Sequence, residues 1–278
     1  MLRKQILITL LIFVFLCGCA RAAKVRRLSK LEASQQKISI PKYELTVGEE
    51  FAFLVAWRGI SIGKAVATIE DLTTFKGYEV YKVVVTAKTN KFLSKLFPVD
   101  DTFISYIDRD KRISRHFEAI IKEGKYRKHL VVDFDFEKYI ATYRNLKDGS
   151  VKTCPINKDV QDPVSAFYFF RTIPLSLGDT IDIAVNHNEK NYGVVVDIDK
   201  KAELIVPKIG TFDAFLITPY LKLDGKRMRR AKTRGYLSSD ENRLPLYVSV
   251  KVLEIPWLGI VTATLLNVDL NIENVSSS

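Results

Sequence analysis

The stretch Thr180-Ile181-Asp182-Ile183-Ala184-Val185 alternates polar or small residues with branched apolar ones, and that period of two decides the fold class. Successive side chains of a strand point to opposite faces, so Ile181, Ile183 and Val185 share one side and can be buried together. The pattern recurs. Val132, Phe134 and Phe136 alternate with Asp133 and Asp135, and Val268, Leu270 and Ile272 alternate with Asn267, Asp269 and Asn271. Turn signals separate such runs: Lys76-Gly77, Glu123-Gly124, Asp148-Gly149, Asn188 to Asn191, Ile209-Gly210 and Asp224-Gly225. Their spacing predicts roughly a dozen strands or more in one mainly-β domain over residues 42–274, a large curved antiparallel sheet like a half-open barrel, with no repeat of fixed period.

Two segments break the alternation. Asp162-Pro163 opens Val164-Ser165-Ala166-Phe167-Tyr168-Phe169-Phe170-Arg171. Aspartate at an N-cap followed by proline at the first helical position predicts a short helix over about 162–171. Aromatic residues cover most of it, so it must be buried or pressed on a sheet. Lys91 to Phe97, closed by Pro98, reads as an amphipathic helix or as an apolar loop at a barrel mouth.

The N-terminus carries an address. Arg3 and Lys4 precede an apolar run, Ile6 to Leu16, too short for the roughly 20 residues of a membrane span. It ends in Leu16-Cys17-Gly18-Cys19, which resembles a bacterial lipobox. The reading is a signal peptide over 1–18, lipid on Cys19, and a basic linker over 19–41 holding Arg21, Lys24, Arg26, Arg27 and Lys30. Ala20 stands where an aspartate retains enterobacterial lipoproteins in the inner membrane, so the expected location is the periplasmic side of the outer membrane. Anionic head groups attract such a basic juxtamembrane tether.

Composition agrees with a folded, exported chain. Of 278 residues 47% are apolar, which excludes a disordered protein. The formal charge is +11; loss of Arg3 and Lys4 with the leader leaves +9. That balance suits acidic partners such as anionic lipids or glycans, and export removes nucleic acid from the set. After cleavage and lipidation Cys154 is the remaining thiol, so no internal disulfide forms; it is a small core residue or a site of pairing between molecules.

Three clusters resemble one family. The first is Gly48-Glu49, Phe51, Trp57, Gly59-Ile60 and Gly63. The second is the Asp162 to Arg171 segment with Leu177-Gly178-Asp179. The third is Gly235-Tyr236-Leu237-Ser238-Ser239-Asp240, Arg243-Leu244-Pro245 and Gly259. Their order and spacing are similar to those of the bacterial family called domain of unknown function 3108. The resemblance implies an exported or lipidated envelope protein rich in β-structure and carries no catalytic residue across.

The residues themselves assign no chemistry either. His116, His129 and His187 lack metal-ligand spacing, although His116 and His129 could meet across the hairpin at Gly124. There is no Gly-x-Ser-x-Gly elbow and no phosphate-binding glycine loop. Asp100-Asp101 and Asp133 with Asp135 read as acids on solvated strand faces. The expectation is no enzyme, no metal and no cofactor. Arg171 is expected to bond the last helical carbonyls, to pair with an acid such as Asp162 or Asp240, or to meet a ligand's acidic group.

Two roles follow. In the first, the curved sheet and aromatic helix enclose a site for a lipid or other amphipathic envelope ligand, lined by Phe92, Phe97, Phe167, Phe170, Arg171 and Trp257. In the second, the protein is an assembly or scaffold lipoprotein that holds another protein or an acidic glycan. Its docking patch would be Lys226, Arg227, Arg229, Arg230, Lys232 and Arg234, at a sheet edge or protruding loop.

Overall fold

The computed structural model describes residues 44–228, 231–253 and 259–270. Strands β1 (Glu50–Trp57), β2 (Ile60–Phe75), β3 (Tyr78–Thr89), β4 (Asp100–Asp108), β5 (Ser114–Glu123), β6 (Tyr126–Asp135), β7 (Ile140–Asn145) and β8 (Val151–Pro155) form one antiparallel meander. Helix α1 (Pro163–Thr172) follows. A second meander then runs through β9 (Thr180–His187), β10 (Lys190–Val206), β11 (Gly210–Leu223), the short β12 (Lys226–Arg227), β13 (Ala231–Ser238), β14 (Pro245–Val252) and β15 (Ile260–Asp269).

The two meanders are fused by the ladder between β1 and β15, from Glu50↔Asp269 to Trp57↔Val261. One sheet of 15 strands results, with β8 at one edge and β9 at the other, so its ladder is not closed. Alternation is clean over the first part of β2, where Ala65, Ala67 and Ile69 face inward opposite Ala87, Val85 and Val83 of β3. The turns expected at Gly77, Gly124, Gly149 and Gly225 stand between strands, and Gly210 opens β11, each with a positive φ that glycine adopts without steric cost.

The edges are brought together without a strand ladder. Gln161, just before α1, bonds both sides of Val185 in β9: its N–H donates to Ala184 O at 2.8 Å and its carbonyl accepts from Asn186 N at 2.8 Å. Side chains complete the seam. Tyr143 Oη donates to Asn186 Oδ1, Asn191 Nδ2 donates to Pro155 O at 2.8 Å, and Lys152 pairs with Glu189 at 2.9 Å.

Helix α1 lies inside the rolled sheet. Nine of its ten residues are buried, which is possible only for a helix covered on every side. Val164, Phe167 and Tyr168 pack with the inner face of β2–β7, while Ala166 and Phe170 pack with β9, β10, β11 and β13. Its start is the one expected: Asp162 Oδ1 accepts from Val164 N at 2.7 Å and Ser165 N at 2.9 Å, and Ser165 Oγ accepts from Asp162 N at 2.9 Å. The Lys91 to Phe97 segment makes only a 3-10 turn, Leu93–Lys95, not an amphipathic α-helix.

Candidate functional site

Each end of α1 is fixed by a buried charge. At the N-terminus Asp162 Oδ2 accepts from Ser105 Oγ on β4 and Ser114 Oγ on β5, both at 2.6 Å. Burial pushes this carboxyl up, and the hydroxyl and backbone donors act against that shift. At the other end Arg171 is wholly buried. It pairs with Glu49, not with Asp162 or Asp240 as its position suggested, because the residues that converge on it come from before β1 and from the turn between β13 and β14. Arg171 Nε and Nη2 donate to Arg243 O and Asn242 O, both at 3.1 Å, and its guanidinium lies 4.4 Å from the centre of the Phe51 ring. These contacts occupy Arg171 in holding the helix.

Beside that helix lies an apolar cavity of about 60 Å³. Phe53, Ala166, Phe167, Phe170, Ile217 and Gly235 are among the residues that line it. Its position follows from the sheet. β11 pairs with β13 only from Ala214↔Ser238 to Ile217↔Gly235. Beyond Ile217, β11 pairs instead with β12, Lys222↔Arg227 and Leu223↔Lys226, and Leu221 O accepts from Met228 N at 2.7 Å. The two strands therefore fork, with Pro219 on one limb, and the cavity sits under the fork. Gly235 lets the limbs approach: a Cβ there would come within 3.1 Å of Ile217 Cγ1.

Of the residues expected to line a ligand site, Phe167 and Phe170 are in the cavity wall. Phe92 and Phe97 stand elsewhere, exposed on the turn between β3 and β4, because the 3-10 turn points outward past the rim of the sheet. Trp257 and Cys19 lie outside the described residues.

The basic run divides. Lys226 and Arg227 are exposed on the β12 hairpin, where Arg227 stacks 3.8 Å from the centre of the Tyr220 ring. Lys232 and Arg234 are exposed on β13, on the stretch past the fork where β13 pairs with β14 alone. Lys232 stands opposite exposed Lys251 of β14, which adds to the outward charge. Arg229 and Arg230 lie outside the described residues. The fork that roofs the cavity is thus flanked by cations.

A pair that local sequence does not reveal lies at one end of the interior. Asp101 and Glu123 are buried on β4 and β5, and their side chains hydrogen-bond to each other. Asp101 Oδ2 and Glu123 Oε1 have no other donor among the described residues, so one proton shared between the carboxyls satisfies both. Burial first, then the neighbouring Asp101 charge, pushes Glu123 up to about 8, and burial pushes Asp101 up to about 6. The signal for this pair is the register Val99↔Glu123, visible only once β4 and β5 are aligned.

The histidines do not meet one another. His116 Nδ1 bonds Asp133 Oδ1 at 2.8 Å and His129 Nε2 bonds Glu118 Oε1 at 2.5 Å. Burial lowers His187 to about 4, and Lys128 adds to that shift. Cys154 is half-buried and free, its sulfur 3.4 Å from Asn186 Nδ2. Among the described residues no group of three or more His, Cys, Asp or Glu is placed to hold a metal ion. Among them, too, no helix is long and apolar enough to cross a membrane.

The family model described as protein of unknown function (DUF3108) matches residues 52–265. No curated protein matches the sequence significantly. Among solved structures, the fold is similar to that of a β-barrel-like protein of domain of unknown function DUF1849 from Brucella abortus. The TM-score is 0.55 at 9% identity, over 81% of this chain and 98% of that one. A Bacteroides fragilis protein described as exported and of YmcC-like fold aligns over 82% of this chain and 98% of its own, at 9% identity. Its TM-score is 0.33.

Proposed function

The chain belongs to the DUF3108 family of proteins of unknown function, and from that premise we propose that it is an exported envelope lipoprotein that binds the apolar end of an amphipathic lipid. The observation that carries this reading is the apolar cavity between α1 and the β11–β13 fork, flanked by Lys226, Arg227, Lys232 and Arg234. An acyl end would enter beside Phe167 and Phe170, and an acidic head group would meet the cations outside. The cavity of about 60 Å³ is smaller than the roughly 150 Å³ that admits a benzene, so it fits a chain end and not a whole chain. Lipid on Cys19, after removal of residues 1–18, would hold the domain on the periplasmic side of the outer membrane. No catalytic residue and no cofactor enters this reading.

The test is native mass spectrometry of protein purified without detergent, beside the variant Ala166→Leu. Ala166 is wholly buried in the cavity wall, so leucine fills the space. A lipid adduct on the parent that is lost in the variant supports the proposal. Absence of any adduct, with thermal stability indifferent to added lipid, overturns it. The well-filled interior, with two apolar clusters closing on α1, favours a second reading in that event: a scaffold lipoprotein that docks an acidic partner on the same cations.

A further inference from the structure

The antiparallel meanders put alternate turns on the same rim. The turns after Trp57, Thr89, Glu123, Asn145, His187 and Leu223 share one rim, and those after Phe75, Asp108, Asp135 and Val206 share the other. The first rim carries the most exposed large apolar side chains: Phe92 and Leu96 at 77% each and Ile60 at 68%. Cations lie among them, with Lys91 and Lys95 on the same turn, Lys125 at the next and Lys226 and Arg227 beyond. No acid occurs from Asn90 to Val99, and the nearest, Asp100, is paired with Lys88 at 3.1 Å and Lys122 at 4.0 Å. Farther round the same rim, and on the opposite one, the turns mix both signs: Asp148 and Asp224 stand beside Lys147 and Lys226, and Asp110 and Glu137 beside Lys111 and Lys138, so the acid-free apolar turn is particular to residues 90–99.

The apolar turn is built, not frayed. Asn90 Oδ1 accepts from Leu93 N at 2.9 Å. Asn90 Nδ2 donates to Ser61 O at 2.8 Å and its backbone N–H to Ile62 O at 2.8 Å, which joins this turn to the one bearing Ile60. Gly124 N donates to Pro98 O at 2.7 Å, and the Phe97 ring packs where a Cβ on Gly124 would come within 3.2 Å of it. With its backbone satisfied this way, the turn holds Phe92 and Leu96 out in water at a free-energy cost that only a partner surface removes.

We propose that this rim docks on an anionic phospholipid bilayer, with Phe92 and Leu96 entering the boundary between head groups and acyl chains and Lys91 and Lys95 at the phosphates. Aromatic and leucine side chains backed by lysines, with no acid between them, match that interface. The proposal rests neither on the cavity nor on Cys19, and it sets the orientation of the body on the membrane.

The test uses the full-length chain reconstituted in vesicles of phosphatidylcholine, with or without phosphatidylglycerol, and brominated lipids as quenchers. An indole is introduced by Phe92→Trp or, on the opposite rim, by Tyr139→Trp; Trp57 and Trp257 are common to both and subtract out. The expected result is a blue-shifted, lipid-quenched indole for F92W in phosphatidylglycerol vesicles and a water-exposed one for Y139W. K91E with K95E should weaken that quenching about tenfold while the thermal midpoint stays unchanged. A water-exposed indole in F92W, or equal quenching at both positions, overturns the proposal. So does a blue shift that grows with protein concentration in the absence of lipid, which assigns the rim to a second copy of the chain.

Discussion

Arg171 and Glu49, 122 residues apart, are joined by two hydrogen bonds, Nη1 to Oε1 at 2.7 Å and Nη2 to Oε2 at 2.9 Å, and neither side chain reaches water. The pair ties the last turn of α1 to the segment that leads into β1, where the two meanders are fused. A charge left alone there has no solvent to turn to. Glu49→Gln or Arg171→Met should therefore cost about 3–5 kcal/mol in urea unfolding. The double replacement Glu49→Leu with Arg171→Met should recover part of that loss, since a buried pair is often no better than apolar residues of the same volume. Equal loss in the double variant would show that the carbonyls of Asn242 and Arg243 are the more important partners.

The shared proton of Asp101 and Glu123 makes stability depend on pH. Glu123 has a folded-state value of about 8 against an ordinary 4.5, so between those values the folded chain holds a proton the unfolded chain has released. Stability must then fall as pH rises through that window and level off above it. In Glu123→Gln the amide keeps the bond to Asp101 without a titrating group. The expected outcome is a flatter stability profile between about pH 5 and 8 and a variant more stable than the parent above pH 8, read as thermal midpoints across buffers. An unchanged slope would rule out the shared proton.

Gly63 tests the curvature of the sheet. It lies within β2, and what it supplies is closeness. A Cβ there would lie 2.3 Å from Lys88 O, backbone to which no flexible side chain can yield. It stands at Val55↔Gly63, just before the register of β1 and β2 shifts. Gly63→Ala should separate β2 from β3 and cost about 3 kcal/mol, with faster amide exchange at Lys88 and Thr89 than in the parent. Amide exchange that matches the parent's would mean that the strands slide to absorb the methyl group.

What local sequence can encode was legible. The strands are hairpin neighbours almost throughout, so alternation and turn residues a few positions apart specify them, and Asp162-Pro163 starts α1 where expected. What depends on distant pairing was not. The partner of Arg171 comes from 122 residues earlier. Phe92 and Phe170 are the same residue type in apolar segments, yet one is at the rim and the other in the cavity wall, because only the closed curvature separates inside from outside. Likewise the basic run reads as one patch, while the fork of β11 splits it between the β12 hairpin and the start of β13.

The seam between β8 and β9 has a consequence for how the chain reaches its fold. Going round the roll, each strand follows its chain neighbour, except where α1 intervenes, where β13 follows β11 past the short β12, and where β15 returns to β1. Nearly all pairings are therefore formed by adjacent hairpins, and only the β1–β15 ladder requires closure of a loop longer than 200 residues. That entropy is lost once and grows only slowly with loop length. Hairpins added to or removed from the β8 or β9 margin would change the seam but leave that closure and the other ladders intact, so the number of strands in this architecture is free to drift while its joined centre stays fixed.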